Sequence, residues 1–189
     1  MHKLKYYKMK HDVTDPVFAT SGSACFDMFC YICEQGRITT NTATPLVTIY
    51  TMDNKKELRE CHTWAGKRCE FNTGFELYPG ERVLVPTGLI FNIPEGHSVR
   101  LHARSSISLK KGLIIPNGEG VIDSDYFHEI KALMVNNSDE DIVIEHGDRI
   151  CQAEIAKCVE HAIEETFDEP QQRTNRVGGL GSTGVKTNA

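Results

Sequence analysis

The 189-residue sequence has no apolar run approaching 18 residues, so nothing in it reads as a membrane-spanning helix. Its first residues, MHKLKYYKMKHD, lack the apolar stretch and small-residue cleavage site of a secretory signal. A cytoplasmic location is therefore expected, the host cytoplasm for a chain of viral origin. Aromatic residues are scarce at 8%, with Trp64 the sole tryptophan. A surplus of positive charge is also missing: 21 Lys+Arg face 26 Asp+Glu, for a net charge of −5. That balance argues against extended nucleic-acid binding or attachment to an anionic membrane. The seven cysteines are an odd number, and without a secretory signal they are expected to be reduced thiols. What is present is ordinary for a globular chain, with 40% hydrophobic and 25% charged residues. The length suits one domain, and a domain of roughly 150 residues buries about 70% of its unfolded surface. A disulfide-dependent miniprotein and a chain disordered throughout are both excluded.

One cysteine pattern needs weighing. Cys30 and Cys33 form a C-x-x-C pair, followed by Cys61, His62 and Cys69. Four soft ligands can close a tetrahedral zinc site. The second half lacks a paired spacing, however, and the adjacent Cys61 and His62 rarely aim at one point. A redox C-x-x-C needs a helix start after it, which MFCYICEQG does not show. Small buried hydrophobes are the preferred reading of Cys30, Cys33, Cys61 and Cys69.

From residue 71 to residue 159, short apolar runs alternate with Gly and Pro: RVLVPTGLIFNIP, SVRLHA, GLIIPNGEGVI, EIKALMVNNS, DIVIEHGD and RICQAEIAKCV. In Ser98–Ala103, Val99, Leu101 and Ala103 alternate with Ser98, Arg100 and His102, the period of a strand with one buried face. Ile142–Ile144 is a β-branched run stopped by the turn signal His146-Gly147-Asp148. Many short strands with almost no helical periodicity predict an all-β sandwich or barrel. Residues 34–70 are polar and hold the one plausible helix, Asp53–Cys61, with Asp53 as its cap. They are expected as an insertion on the surface of the β domain. From Glu169 onward the chain is rich in Gly, Thr and Asn and should be mobile until something orders it. The expected division is a β domain over 1–168 and a C-terminal arm over 169–189.

Chemistry concentrates in three places. Within Gly112–Tyr126, Pro116-Asn117-Gly118 followed by Gly120 reads as a tight hairpin, whose free backbone groups and Asn117 amide can read the edge of a flat polar ring. Asp123 and Asp125 follow on one strand face, with Tyr126 beside them, and a carboxylate next to a base-sized pocket can orient and activate water. His102-Ala103-Arg104-Ser105-Ser106 ends a strand with a guanidinium and two hydroxyls, donors suited to phosphate oxygens. The tail Gly178–Gly184, with Arg173 and Arg176 nearby, is a string of backbone donors able to wrap a phosphate chain. No Gly-Lys-Ser/Thr follows it, so it is not a Walker A loop. Taken singly, each of these is as readily a charged turn or a flexible tail.

In this order the segments resemble the five motifs of the homotrimeric all-β dUTPase family. Motif one would be Gly22–Met28, motif two Arg104-Ser105-Ser106, motif three Gly120–Tyr126, motif four Gly147–Gln152 and motif five Gly178–Gly184. The resemblance spans 17–30 and 71–184 and leaves 34–70 unmatched. It implies a distorted jelly-roll barrel assembled as a homotrimer, with motifs meeting across subunit boundaries and the Gly-rich tail closing as a lid. The implied reaction is hydrolysis of dUTP to dUMP and pyrophosphate, with Mg2+ on the triphosphate. It implies that Asp123 orients and deprotonates the attacking water. Asn117 and the backbone of Gly120, Val121 and Ile122 would read uracil, and Tyr126 would pack under the deoxyribose. Arg104, Ser105, Ser106 and Gln152 would hold phosphates, and Asp27 would support the metal through water. From the tail, Arg176, Leu180, Gly181 and Ser182 would close over the nucleotide.

The chain departs from the family pattern at four points. Cys25-Phe26 stands for the usual Gly-Tyr, His128 for a Gly, Leu180 for an aromatic over the base, and Asn175 for an Arg. Deamination of dCTP on the same fold requires a Glu three residues before Asn136, and that position is Leu133. A non-catalytic interaction protein is the other alternative, with the 34–70 segment as its partner surface.

Overall fold

The structure is a computed structural model and describes residues 3–32, 46–65 and 71–175. Its first strands are β1 (Lys5–Lys8), β2 (Val17–Phe18), β3 (Phe26–Phe29), β4 (Leu46–Tyr50), β5 (Lys56–Glu60) and β6 (His62–Ala65). They are followed by β7 (Phe71–Leu77), β8 (Arg82–Pro86), β9 (Leu89–Asn92) and β10 (His97–His102). A short helix, α1 (Ser105–Lys111), precedes β11 (Leu113–Ile114), β12 (Gly120–Ile122), β13 (Lys131–Asn136), β14 (Ile142–Glu145) and β15 (Arg149–Lys157).

The strands form two five-stranded sheets, β12-β10-β15-β3-β2 and β11-β13-β8-β4-β5, with a three-stranded ladder β14-β7-β6 and a pair β1-β9. The all-β expectation holds, but among the described residues no ladder closes on itself into a barrel. Period-2 patterning explains the register. In β13, Ala132, Met134 and Asn136 point inward while Lys131, Leu133 and Val135 do not. Val83 and Val85 of β8 do the same across the ladder, where Ala132 pairs with Val85 and Met134 with Val83. The core gathers Met28, Ile49, Phe75, Leu77, Phe91, Val99, Leu101, Ile144 and Ile150, each contributing about 1.5–3 kcal/mol for full burial. Asn136 is polar but fully satisfied there. Its amide donates to the carbonyls of Leu77 and Glu140 at 2.8 Å, and its oxygen accepts from the Ser138 hydroxyl at 2.7 Å.

Several expectations are corrected. Residues Asp53–Cys61 are not a helix: β4 and β5 form an antiparallel hairpin, with Thr51 paired to Lys55 across the turn and Asn54 at φ 63°. Asp53 accepts the Thr51 hydroxyl at 2.6 Å and pairs with the Lys55 ammonium, so it braces the hairpin turn rather than capping a helix. Nor does this stretch lie wholly on the surface. β4 sits between β8 and β5, and Val47 and Ile49 belong to the core. The alternation Val47, Ile49 is a strand signal that the polar neighbours obscure. Arg59 of β5 then clasps buried Glu81 in a two-bond fork, Nη2 lying 2.7 Å from Oε1, and stacks over Tyr78.

The Pro116-Asn117-Gly118 segment is a turn but not a hairpin. The Gly118 N–H donates to the Ile115 carbonyl at 3.1 Å, with Gly118 at φ 77°, yet β11 pairs with β13 and β12 with β10. The turn therefore passes between two sheets. Asp123 and Asp125 do not share a strand face either, because β12 ends at Ile122 and Tyr126 N–H closes a turn on the Asp123 carbonyl at 3.2 Å.

Cys30 and Cys61 are buried among core side chains, and burial pushes the thiol of Cys61 up to about 11. Cys33 and Cys69 lie outside the described residues, and among those described no group of three or more His, Cys, Asp or Glu is placed to hold a metal. Residues 160–175 belong to a second unit and are exposed, without regular secondary structure.

Candidate active site

The β10-β15-β3 part of the first sheet assembles one polar cluster. In register, His102 of β10 faces Gln152 of β15, and Gln152 faces Asp27 of β3. Arg104, two residues past β10, turns back and forms an ion pair with Asp27, Nε lying 2.9 Å from Oδ1. Gln152 donates its amide to the Ala103 carbonyl at 3.2 Å, fastening β15 to the segment before the helix. Asp27 is 7% exposed and faces the Arg104 guanidinium.

Arg149, which sequence reasoning passed over, is a further partner, with Nη1 3.2 Å from Asp27 Oδ2. A bulge puts it there. The ladder register shifts between Arg149 and Cys151, so Arg149 pairs with Phe29 while Gln152 pairs with Asp27. Asp27 and Phe29 share a face of β3, and hence so do Gln152 and Arg149. In a regular strand, residues three apart would face opposite ways. The signal was present in Gly147-Asp148-Arg149, but only the bulge gives it a target.

The expected strand-end Arg104-Ser105-Ser106 is the start of α1. Arg104 is its N-cap in extended conformation, without a side-chain cap, and Ser105 and Ser106 are exposed in the first turn. Beside it opens a cleft of about 300 Å³ between α1 and β14–β15, with Arg104, Lys111 and Arg149 around an apolar floor of Ile107, Ile144 and Ile150. Asp148 lines it too, and three cations against one carboxylate leave a net positive lining that suits an anion.

The remaining expected residues flank the two ends of β12. Asn117, Asp123 and Tyr126 are all exposed, and Tyr126 donates its hydroxyl to the Glu129 carbonyl at 3.3 Å with His128 packed edge-on at 5.5 Å. Gly120, Val121 and Ile122 form β12 itself. Val99 pairs with Ile122, which sets Asp123 level with the start of β10, whereas Arg104 lies beyond its other end. At about 3.3 Å per residue, the backbones of Asp123 and Arg104 are on the order of 20 Å apart, whereas the Asn117 turn precedes Gly120 and lies toward the Arg104 end. One chain therefore does not bring the Asp123 carboxylate to the Arg104 donors. Arg176, Leu180, Gly181 and Ser182 lie outside the described residues.

A family model for dUTPase matches residues 69–184, more than half of the chain. The chain belongs to the dUTPase family. It is similar to the deoxyuridine 5'-triphosphate nucleotidohydrolase of Hydrogenobaculum sp. (strain Y04AAS1), 32% identical over 97% of this chain and 99% of that relative. To the nucleotidohydrolase of the same name from Brucella melitensis biotype 2 (strain ATCC 23457) it is 45% identical over 58% of this chain and 69% of the relative. Among solved structures, a dUTPase of Staphylococcus bacteriophage 80alpha with dUpNHpp matches at TM-score 0.65 and 18% identity, covering 98% of this chain and all of that one. That last likeness is one of fold. The dUTPase match begins at residue 69, so β4 and β5 precede it while still building this chain's core sheet.

Proposed function

We propose that the chain is a dUTP diphosphatase that hydrolyses dUTP to dUMP and pyrophosphate by attack of an Asp123-activated water on the α-phosphorus. The observation that carries this reading is the Asp27–Arg104–Gln152 cluster, in which residues of motifs one, two and four meet at one sheet corner. Arg104, oriented by Asp27, offers its remaining N–H groups to phosphate oxygens, joined by the Ser105 and Ser106 hydroxyls and by Gln152. Asn117 and the β12 backbone read the uracil edge, and Tyr126 closes off the 2′ position of the sugar.

The substrate arrives as its magnesium complex, in which phosphate oxygens and water supply most of the ligands. The residues fit that role better than they would fit a resident metal. Asp27 already faces two guanidiniums and has only its remaining lone pairs for a metal-bound water. In phosphoryl transfer, catalysis is mainly positioning and charge neutralisation, so one base and many fixed donors suffice.

The separation of Asp123 from Arg104 within one chain supports a homotrimer, in which the Asp123 turn of one copy meets the Arg104 corner of another. The tail, with Arg176, Leu180, Gly181 and Ser182, closes over the bound nucleotide as a lid. The cellular roles that follow are limiting uracil in DNA and supplying dUMP for dTMP synthesis, in the cytoplasm.

The test is pyrophosphate release with Mg2+ from dUTP, dCTP, dTTP and UTP. We expect dUTP to be preferred by at least about a hundredfold in kcat/KM. An Asp123→Asn variant should bind dUTP with near wild-type affinity and lose about a thousandfold or more in kcat. Near wild-type turnover by that variant would falsify the mechanism.

A further inference from the structure

Arg100 occupies the middle of β10, opposite Val121 of β12 on one side and Glu154 of β15 on the other. Its guanidinium is fixed at two points. Nε–H donates to the Ser98 hydroxyl at 3.0 Å, and Nη1–H donates to Glu119 Oε2 at 2.9 Å. Ser98 is buried, so the anchoring end of this arrangement is rigid. Glu119 is not on a strand: it sits between Gly118 and Gly120, in the turn that carries Asn117. Its other oxygen lies 3.8 Å from Nδ1 of His102, whose Nε2 is 3.3 Å from Glu154.

Backbone packing at the same place shows how tightly β12 is docked. A Cβ on Gly120 would lie 3.0 Å from the Leu101 Cβ, so the two strands approach more closely there than a side chain comfortably permits. The ladder bonds hold β12 from Gly120 onward. Before that point the turn residues 116–119 are exposed, and the Arg100–Glu119 ion pair ties their last member back to β10.

We infer that Arg100, acting through Glu119, is a positioning residue for base recognition, holding the Asn117 turn at the height where its amide and the β12 backbone meet the uracil edge. The inference rests on the proposed reading of this turn as the base-reading element. It adds a specificity role for two residues outside the active-site set described above. Loss of the pair frees the turn without altering Asp123, Arg104 or the phosphate donors. The effect should therefore fall on nucleoside binding and leave the chemical step and pyrophosphate binding alone.

The experiment compares Arg100→Gln, Glu119→Gln, the double variant and Arg100→Lys in the full chain. It reads kcat and KM for dUTP, inhibition by dUMP and inhibition by pyrophosphate. Each glutamine variant should raise KM for dUTP and weaken dUMP about three- to tenfold, with kcat within about twofold and pyrophosphate inhibition unchanged. The double variant should be no worse than the worse single one, and Arg100→Lys should recover part of the loss. Wild-type dUMP affinity in both single variants overturns the inference. So does equal weakening of dUMP and pyrophosphate, which indicates general loosening, or additive losses in the double variant. A wild-type chain that releases no pyrophosphate from dUTP overturns the parent reading instead, so the two failures are distinguishable.

Discussion

Replacing Asp27 by Asn tests the link between the buried carboxylate and the phosphate end of the site. The substitution keeps the shape and one acceptor oxygen but removes the charge facing two arginines. The Arg104 ion pair is close, at 2.9 Å, and lies between side chains that are 23% and 9% exposed. Removing the charge from this mostly buried ion pair costs about 1–1.5 kcal/mol. The Arg149 bond is longer, at 3.2 Å, and that arginine is 53% exposed, so solvent screening reduces its share to a few tenths of a kcal/mol. Asp27→Asn should therefore destabilise the protein by about 1.5–2 kcal/mol, read from urea unfolding at one fixed protein concentration because the proposed trimer would contribute to the midpoint. The functional consequence follows from Arg104, which loses the partner that sets its orientation. KM for dUTP should rise about tenfold, with a smaller change in kcat, because the lost contact serves substrate and transition state alike. A variant with wild-type KM and stability within about 0.5 kcal/mol of wild type would show that Asp27 does not hold Arg104.

The Arg59–Glu81 clasp predicts a different pattern: Arg59→Met should lose about 2–4 kcal/mol because Glu81 stays buried without its cation, whereas Arg59→Met with Glu81→Met should recover most of it. Urea melts of both variants decide this, and a single-variant loss below about 0.5 kcal/mol would place β5 outside the cooperative core. Burial raises the thiol of Cys61 from 9.0 to about 11 and that of Cys151 to about 12. The stability conferred by these neutral thiols is complete below pH 9 and should be lost as the pH climbs through 11 to 12. Cys151→Ala should flatten that alkaline limb in unfolding measurements. In the native protein at pH 8, iodoacetamide should label exposed Cys158 and spare Cys61 and Cys151, and mass spectrometry showing early labelling of either buried thiol would contradict the packing.

Local chemistry made much of this protein legible before any coordinates. Alternation in Ser98–Ala103 and around Ile142–Ile144 announced β10 and β14, because one buried face imposes period 2 on a strand. The turn at Pro116–Gly118 was equally readable, because Pro and Gly constrain φ within the segment itself. Motif order carried the dUTPase family, since five short chemical signatures at compatible spacing rarely coincide. What failed were readings that depend on partners far along the chain. Asp53–Cys61 looked like a capped helix because its charges masked Val47 and Ile49 just upstream; only pairing of β4 with β8 reveals a core strand. Arg104-Ser105-Ser106 read as a strand end because a helix of two turns leaves too short a periodic record.

Which residues meet was decided only in three dimensions. Asp27 and Arg104 touch because β3, β15 and β10 are neighbours, and Arg149 joins them because one bulge shifts the alternation of β15. The same register sets Asp123 at the far end of β10, leaving it apart from Arg104 within one chain. Residue types and local spacing determine what chemistry a segment can offer, and the pairing of distant strands determines which offers converge.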